Sequence, residues 1–311
     1  MMYLWLIVGF VFLIKGADFF VEGSSGIAKN LKVPTMIIGL TIVAMGTSAP
    51  ELAVSTTAAL KGNNAIAVSN VIGSNIFNLI VVCGVCAMLS PLHIKVKTLK
   101  EEFPISILAE VLLLIFACTG TILGRTEGIV FILLFTLFMV WMVKSALNAR
   151  KNGEVIEEEE IKTLPMWKCI VYILGGIAAI VWGGDVVVDS ASDIAAVFGL
   201  SQTLIGLTIV AVGTSLPELV TSVVAAGKGE NDMAIGNVIG SNIFNVLLIL
   251  GVSSTITPIS ISMESIYDLV FLTVMSLLVY FFCISKKRLN RTEGVIMIVV
   301  YIVYMYYICT R

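Results

Sequence analysis

The 311-residue sequence predicts an all-α polytopic membrane protein, with ten transmembrane helices arranged as two inverted five-helix repeats. Three observations lead there. The chain is 58% hydrophobic and only 13% charged, with a mean hydropathy of +1.03, where a soluble domain carries about a quarter charged residues. Its apolar residues fall into runs of about 20, the length that crosses a bilayer core. Finally, GLTIVAMGTSAPEL at residues 39–52 returns as GLTIVAVGTSLPEL at 206–219.

The first span, about 2–22, has no basic residue before its apolar run and no A-x-A-like cleavage site after it, so it reads as a span and not a signal peptide. The second, about 35–60, carries the first motif, and the third, about 65–90, carries NVIGSNIFN at 70–78. Spans four (103–123) and five (126–147) are mostly Leu, Ile, Val and Phe, and close a first repeat over 1–147. The segment 148–165, with Glu154 and the run Glu157 to Glu160, reads as a solvated acidic linker on the cytoplasmic side. A regulatory Ca²⁺ site is its functional alternative. The second repeat, 166–311, holds spans at about 166–187, 202–227, 231–255, 266–284 and 293–310. Gly, Ser, Thr and Asn concentrate in spans two, three, seven and eight. Those four form the packed interior, and spans four, five, nine and ten the lipid-facing scaffold.

Basic residues set the orientation. With the N-terminus outside, 15 Lys and Arg fall in cytoplasmic loops, from Lys29 through Lys228 to Arg291, against Lys61, Arg125 and Arg311 outside. This is the positive-inside pattern of a multi-pass cell-membrane protein with both termini outside. A net charge of −2 and no basic stripe exclude a nucleic-acid binder. The six cysteines lie in or beside apolar runs and read as packing residues. The pair Cys83 and Cys86 lacks the second pair or nearby histidine of a metal site. His93, the sole histidine, sits in a basic loop.

The motif copies are 167 residues apart: Glu51 matches Glu218, Asn78 matches Asn245, and Gly16-Ala17-Asp18 aligns with Gly183-Gly184-Asp185. Arg125-Thr126-Glu127-Gly128 returns at Arg291-Thr292-Glu293-Gly294, 166 residues on. A repeat of five spans is odd, so its second copy enters the membrane from the other side, as in many secondary transporters with a midplane site.

Helical spacing places Thr47 beside Glu51, with Ser48 adjacent, and repeats this as Thr214, Ser215 and Glu218. Pro50 and Pro217 lack an N–H and push against the carbonyl four residues earlier, at Gly46 and Gly213, and helices broken in this way are expected to free backbone carbonyls near Ala44 and Ala211. Ser74 with Asn78, and Ser241 with Asn245, add oxygens from the third and eighth spans. The donor set is therefore two carboxylates, six hydroxyls and two amide carbonyls, without His or Cys. All-oxygen sets suit hard cations, and Ca²⁺ takes about 6–8 oxygens in a flexible arrangement. Mg²⁺ is disfavoured because it holds its waters. A kinked packing motif with structurally bonded acids is the alternative, and it would waste the desolvation cost of two buried acids.

The paired strings GLTIVA-x-GTS-x-PEL and NVIGSNIFN resemble the two α-repeats of the sodium/calcium exchanger family, within the cation/calcium antiporter superfamily; the chain looks like a compact prokaryotic-type member. The resemblance implies exchange of Na⁺, described as three, for one Ca²⁺ by alternating access. It implies that Glu51 and Glu218 hold both ions. Thr47, Ser48, Ser74, Thr214, Ser215 and Ser241 would ligate Na⁺ with the Ala44 and Ala211 carbonyls, and Asn78 is the family's polar residue in span three. Asn245 departs from relatives that carry aspartate there, which argues against K⁺ co-transport. The first and sixth spans resemble the family's gating pair, with Asp18 and Asp185 near opposite faces. No cofactor or protein partner is implied beyond Ca²⁺, Na⁺ and the bilayer. A proton/calcium antiporter using the same glutamates is the nearest alternative, and a passive cation channel a further one. An enzyme fails on inventory: the chain has no H-E-x-x-H, no serine–histidine arrangement within the bilayer and no cofactor motif.

Overall fold

The computed structural model describes residues 2–61, 64–151, 164–198 and 211–310. Helix α1 is Met2–Leu31. Next comes a bent pair, α2 (Thr35–Thr47) and α3 (Ala49–Leu60), angled by 49°. Helices α4 (Ile66–Leu89), α5 (Val96–Gly120) and α6 (Arg125–Lys151) complete the first half. The second half has α7 (Met166–Val197), α8 (Leu216–Gly227), α9 (Asn231–Ile256), α10 (Met263–Lys286) and α11 (Arg291–Thr310).

Among the described residues, eight helices are long and apolar enough to cross a membrane, and the bent pair brings the number to nine. The expected seventh span, 202–227, lies partly outside the described residues. Its described part is the short helix Ala211–Gly213 followed by α8.

Two expected ends fall short of the structure. Helix α1 runs to Leu31, not 22, and α7 to Val197, not 187. A run of apolar residues marks only the part of a helix that sits in hydrocarbon; backbone hydrogen bonding carries on into polar sequence. In α1 it continues through Gly23-Ser24-Ser25-Gly26 until Lys32 turns left-handed, with φ of 55°. The acidic linker, with Glu154 and Glu157 to Glu160, lies outside the described residues.

Helices α4 and α9 are buried along most of their length, whereas α6 and α11 show most of theirs to the surroundings. The polar content of the third and eighth spans thus marks the centre of the bundle. Close approach is made by glycine. A methyl group on Gly236 of α9 would stand 2.8 Å from the Met36 carbonyl of α2, and one on Gly240 would stand 2.6 Å from that of Leu40. Helices α1 and α7 pack antiparallel in the same way. A methyl on Gly9 would lie 3.0 Å from the Gly183 carbonyl, and one on Gly16 3.0 Å from that of Gly176. Edge-on aromatic pairs, Phe12 with Trp182 and Phe19 with Tyr172, flank that seam.

Two short antiparallel ribbons tie the loops at the bundle ends. Strand β1 (Leu92–His93) pairs with β4 (Arg288–Leu289), and β2 (Ile122–Leu123) with β3 (Ile259–Ser260).

Candidate ion-binding site

The site begins with two helix breaks. Helix α2 stops at Thr47, Ser48 takes φ −84° and ψ 11°, and α3 restarts with Pro50 in its first turn. Ser215, at φ −94° and ψ 6°, precedes α8 with Pro217 placed likewise. Proline is tolerated there because first-turn N–H groups have no intrahelical acceptor. Glu51 and Glu218 therefore occupy first turns. Free N–H groups and the positive end of the helix dipole favour a carboxylate at that place.

Both glutamates are fully buried, and each accepts a hydrogen bond from a serine of the opposite half. Ser215 Oγ donates to Glu51 Oε1 at 3.1 Å, and Ser48 Oγ donates to Glu218 Oε1 at 2.7 Å. Ser215 Oγ is also 3.1 Å from Ser74 Oγ. Thr47 Oγ1 donates to Asn237 Oδ1 at 3.0 Å, and Thr214 Oγ1 reaches Asn70 Oδ1 at 3.5 Å. Of the expected residues, these contacts and the amides of Asn70 and Asn237 join Glu51, Ser74, Thr214 and Ser215 in one network and Thr47, Ser48 and Glu218 in its counterpart.

The second oxygen of each carboxylate, both polar atoms of Asn78, Asn245 Oδ1 and Ser241 Oγ are buried without a hydrogen bond of good geometry. Among the described residues no lysine or arginine pairs with either glutamate; the ion pairs there involve Asp18, Asp232 and Glu293. Buried charges without a counter-charge cost several kcal/mol each. No group of three His, Cys, Asp or Glu that could hold a metal exists among the described residues. Any cation must then draw on hydroxyl and amide oxygens around the two acids, which is a hard-ion environment.

The structure corrects one expectation. The Ala44 carbonyl is not freed by Pro50: it accepts the Ser48 N–H at 3.0 Å and lies 3.3 Å from Thr47 Oγ1. The helix breaks after Thr47, so the carbonyl that Pro50 leaves without its usual donor is that of Gly46. Ala211 begins the short turn Ala211–Gly213.

Four residues of the duplicated string were missed as site groups. Asn70 Nδ2 donates to Ser55 Oγ at 3.0 Å and to the Glu51 carbonyl at 3.5 Å, and Asn237 Nδ2 does the same for Ser222 at 2.9 Å and Glu218 at 3.4 Å. Asn75 and Asn242 exchange bonds, each amide nitrogen reaching the other's carbonyl, at 3.2 and 3.4 Å. Asn245 Nδ2 donates to Asn75 Oδ1 at 3.0 Å. Their signal was available: all four asparagines stand in NVIGSNIFN at the 167-residue offset. Also missed were π-helical turns at Gly39–Val43, Phe77–Val82 and Phe244–Leu250. The last two contain Asn78 and Asn245. Such turns recur at functional sites because the wider ring re-aims side chains.

A family model described as sodium/calcium exchanger protein matches residues 1–144 and 168–310. The chain belongs to the sodium/calcium exchanger family. It is 43% identical over 310 residues to a protein of Alkalimonas amylolytica proposed to be an antiporter, CaxA, covering 97% of each chain. It is 35% identical to the sodium/calcium exchanger MaX1 of Methanosarcina acetivorans, again over 97% of each. Among solved structures, the sodium-calcium exchanger NCX_Mj soaked without Na⁺ and Ca²⁺ superposes with a TM-score of 0.86 at 29% identity, covering 99% of this chain and 98% of that one. As a member of the exchanger family, the protein is a multi-pass membrane antiporter that moves cations against Ca²⁺.

Proposed function

We propose that this exchanger carries Na⁺, three per cycle, against one Ca²⁺ by alternating access and without K⁺. The observation that carries the reading is a pair of fully buried carboxylates, each bonded to a serine of the opposite half, with no cation of the described residues beside either. Two acids carry −2, which one Ca²⁺ neutralises, whereas three Na⁺ leave +1. Exchange is then electrogenic on the sodium limb. Glu51 and Glu218 serve both loads, and neither load fits fully while the other is bound. Thr47, Ser48, Ser74, Thr214, Ser215, Ser241 and the carbonyls of Ala44 and Ala211 supply sodium ligands. Asn78 and Asn245 complete the ring with amide oxygens, and the amide at Asn245 withholds the third negative charge that a K⁺ ion would balance.

Two inverted halves, 1–147 and 166–311 joined by 148–165, each contribute five spans. Reciprocal contacts support this. Ser48 to Glu218 and Ser215 to Glu51 exchange under the offset, as do Asn70 to Ser55 and Asn237 to Ser222. The ribbons obey it too: Leu92 and Ile259 are 167 apart, Ile122 and Arg288 are 166 apart, and pairing β1 with β4 maps onto pairing β3 with β2. Basic loops on one side put both termini outside a cell membrane. The glycine-packed pair α1 and α7 has the contacts of helices that slide together over the core.

Ca²⁺ uptake into Na⁺-loaded proteoliposomes tests the reading, with Li⁺, K⁺ and pH-jump arms. An inside-positive potential speeds uptake if three Na⁺ leave per Ca²⁺ entering. Uptake driven by a pH gradient in place of Na⁺ supports proton/calcium antiport by the same acids. Ca²⁺ flux without any counter-ion identifies a channel.

A further inference from the structure

The 167-residue offset that pairs the glutamates also pairs Asp18 with Asp185, Ser25 with Ser192 and Lys61 with Lys228. The structure treats the members of these pairs differently. Lys228 Nζ lies 2.6 Å from Asp18 Oδ1 and donates to the Asp18 carbonyl at 3.0 Å. Ser25 Oγ donates to Glu230 Oε1 at 2.9 Å. Two contacts therefore hold α1 to the end of α8 and the turn after it. Among the described residues no ion pair joins Asp185 to Lys61, and Ser192 Oγ is buried without a partner. Helix packing has the same bias: α1 lies along α8, while α7 has no comparable seat on α3. Among the described residues, one face of the molecule is latched and its mirror is not.

We propose that Asp18–Lys228 and Asp185–Lys61 are alternating locks, each closing one face of the exchanger and each able to form only when the other is open. The proposal rests on the alternating-access reading above. Three features make it work. Helices α1 and α7 are joined by glycine contacts tight enough that they move as one body. Their antiparallel arrangement puts Asp18 and Asp185 toward opposite faces, so one displacement separates one pair while approximating the other. And the closed pair is partly solvated, its side chains being 39% and 34% exposed. A pair in that setting is weak enough to break in every cycle. Lys228 and Lys61 are positioning residues: they touch no transported ion but bias which face is open.

Two variants and one swap test this in the full-length protein. Lys228→Gln should shift the balance toward opening of the Lys228 face by up to about fivefold, the scale of an exposed pair. Apparent Ca²⁺ affinity then rises on that face and falls on the other. Lys61→Gln should shift both affinities oppositely, and Asp18→Lys with Lys228→Asp should restore the parent values. Hydrogen–deuterium exchange in detergent gives a readout that does not need transport: Lys228→Gln should raise exchange along 216–227, and Lys61→Gln should leave it equal or lower. Unchanged exchange in Lys228→Gln, or affinity shifts of the same sign in both lysine variants, overturns the locks. Absent Na⁺-driven uptake in the unmodified protein overturns the exchange reading, and leaves the locks to be judged by hydrogen exchange alone.

Discussion

Replacing Glu51 by glutamine separates a bound ion from a merely structural acid. The amide is nearly isosteric, and its oxygen can still accept from Ser215 Oγ, which donates to Glu51 Oε1 at 3.1 Å. What disappears is one of two negative charges in a cluster where no lysine or arginine of the described residues pairs with either acid. Removing one partner of a buried charge pair costs about 2–5 kcal/mol, so Ca²⁺ should bind from about thirtyfold to several thousandfold more weakly. Na⁺-driven uptake is then nearly abolished. A second measurement makes the argument specific. The ion-free variant buries one unpaired carboxylate in place of two and should unfold at the same or a higher temperature than the ion-free parent. The parent gains about 2.7 kcal/mol in Ca²⁺ at a hundred times its dissociation constant, and Glu51→Gln at the same concentration should gain little. Normal uptake, or an undiminished Ca²⁺-dependent thermal shift, would refute the assignment. A variant destabilised without ions would instead make Glu51 a structural acid.

Other outcomes follow from the same geometry. Asn245→Asp should retain Ca²⁺ transport but lose rate toward acid pH, where the added carboxyl takes a proton; an unaltered pH profile in vesicles counts against contact between Asn245 and the ions. Asn237→Ala strips partners from Thr47 Oγ1 and Ser222 Oγ, and should cost about 1–3 kcal/mol in thermal unfolding along with weaker Na⁺ activation. Equal stability would mean those hydroxyls find other partners. Gly16→Val inserts bulk where even a methyl stands 2.9 Å from Ile180 N; overpacking of that kind costs about 1–3 kcal/mol and should slow exchange. Gly175→Ala, one residue from that seam with no atom within 4 Å of the added methyl, should be silent in the same assay.

The membrane class, eight to nine of the helical spans and the paired acids were legible because each depends on something local. A run of apolar residues needs no neighbour to be recognised, and a duplicated string with an acid in it announces its own importance. The i, i+4 spacing of Thr47 and Glu51 is likewise a property of one helix. Helix ends were less legible. In α1, hydrogen bonding through Gly23 to Leu31 outlasts the apolar run, and only the left-handed Lys32 stops it. The role of Pro50 was half legible. Its missing N–H and the carbonyl it faces, that of Gly46, follow from the sequence, but whether the carbonyl of Ala44 is freed depends on where the break falls, and the Ser48 N–H remains on Ala44.

By itself the sequence determined that two acids stand in duplicated apolar segments with oxygen donors at helical spacing, because composition, periodicity and duplication are carried along the chain. Only the tertiary structure decided that Ser215 serves Glu51 and Ser48 serves Glu218, since which half satisfies which acid is set by how the halves interlock. It alone also revealed that Asp18 has its lysine while, among the described residues, Asp185 has none. Asp18 matches Asp185 and Lys228 matches Lys61 at the fixed offset, so residue type alone does not separate the two pairs and packing does.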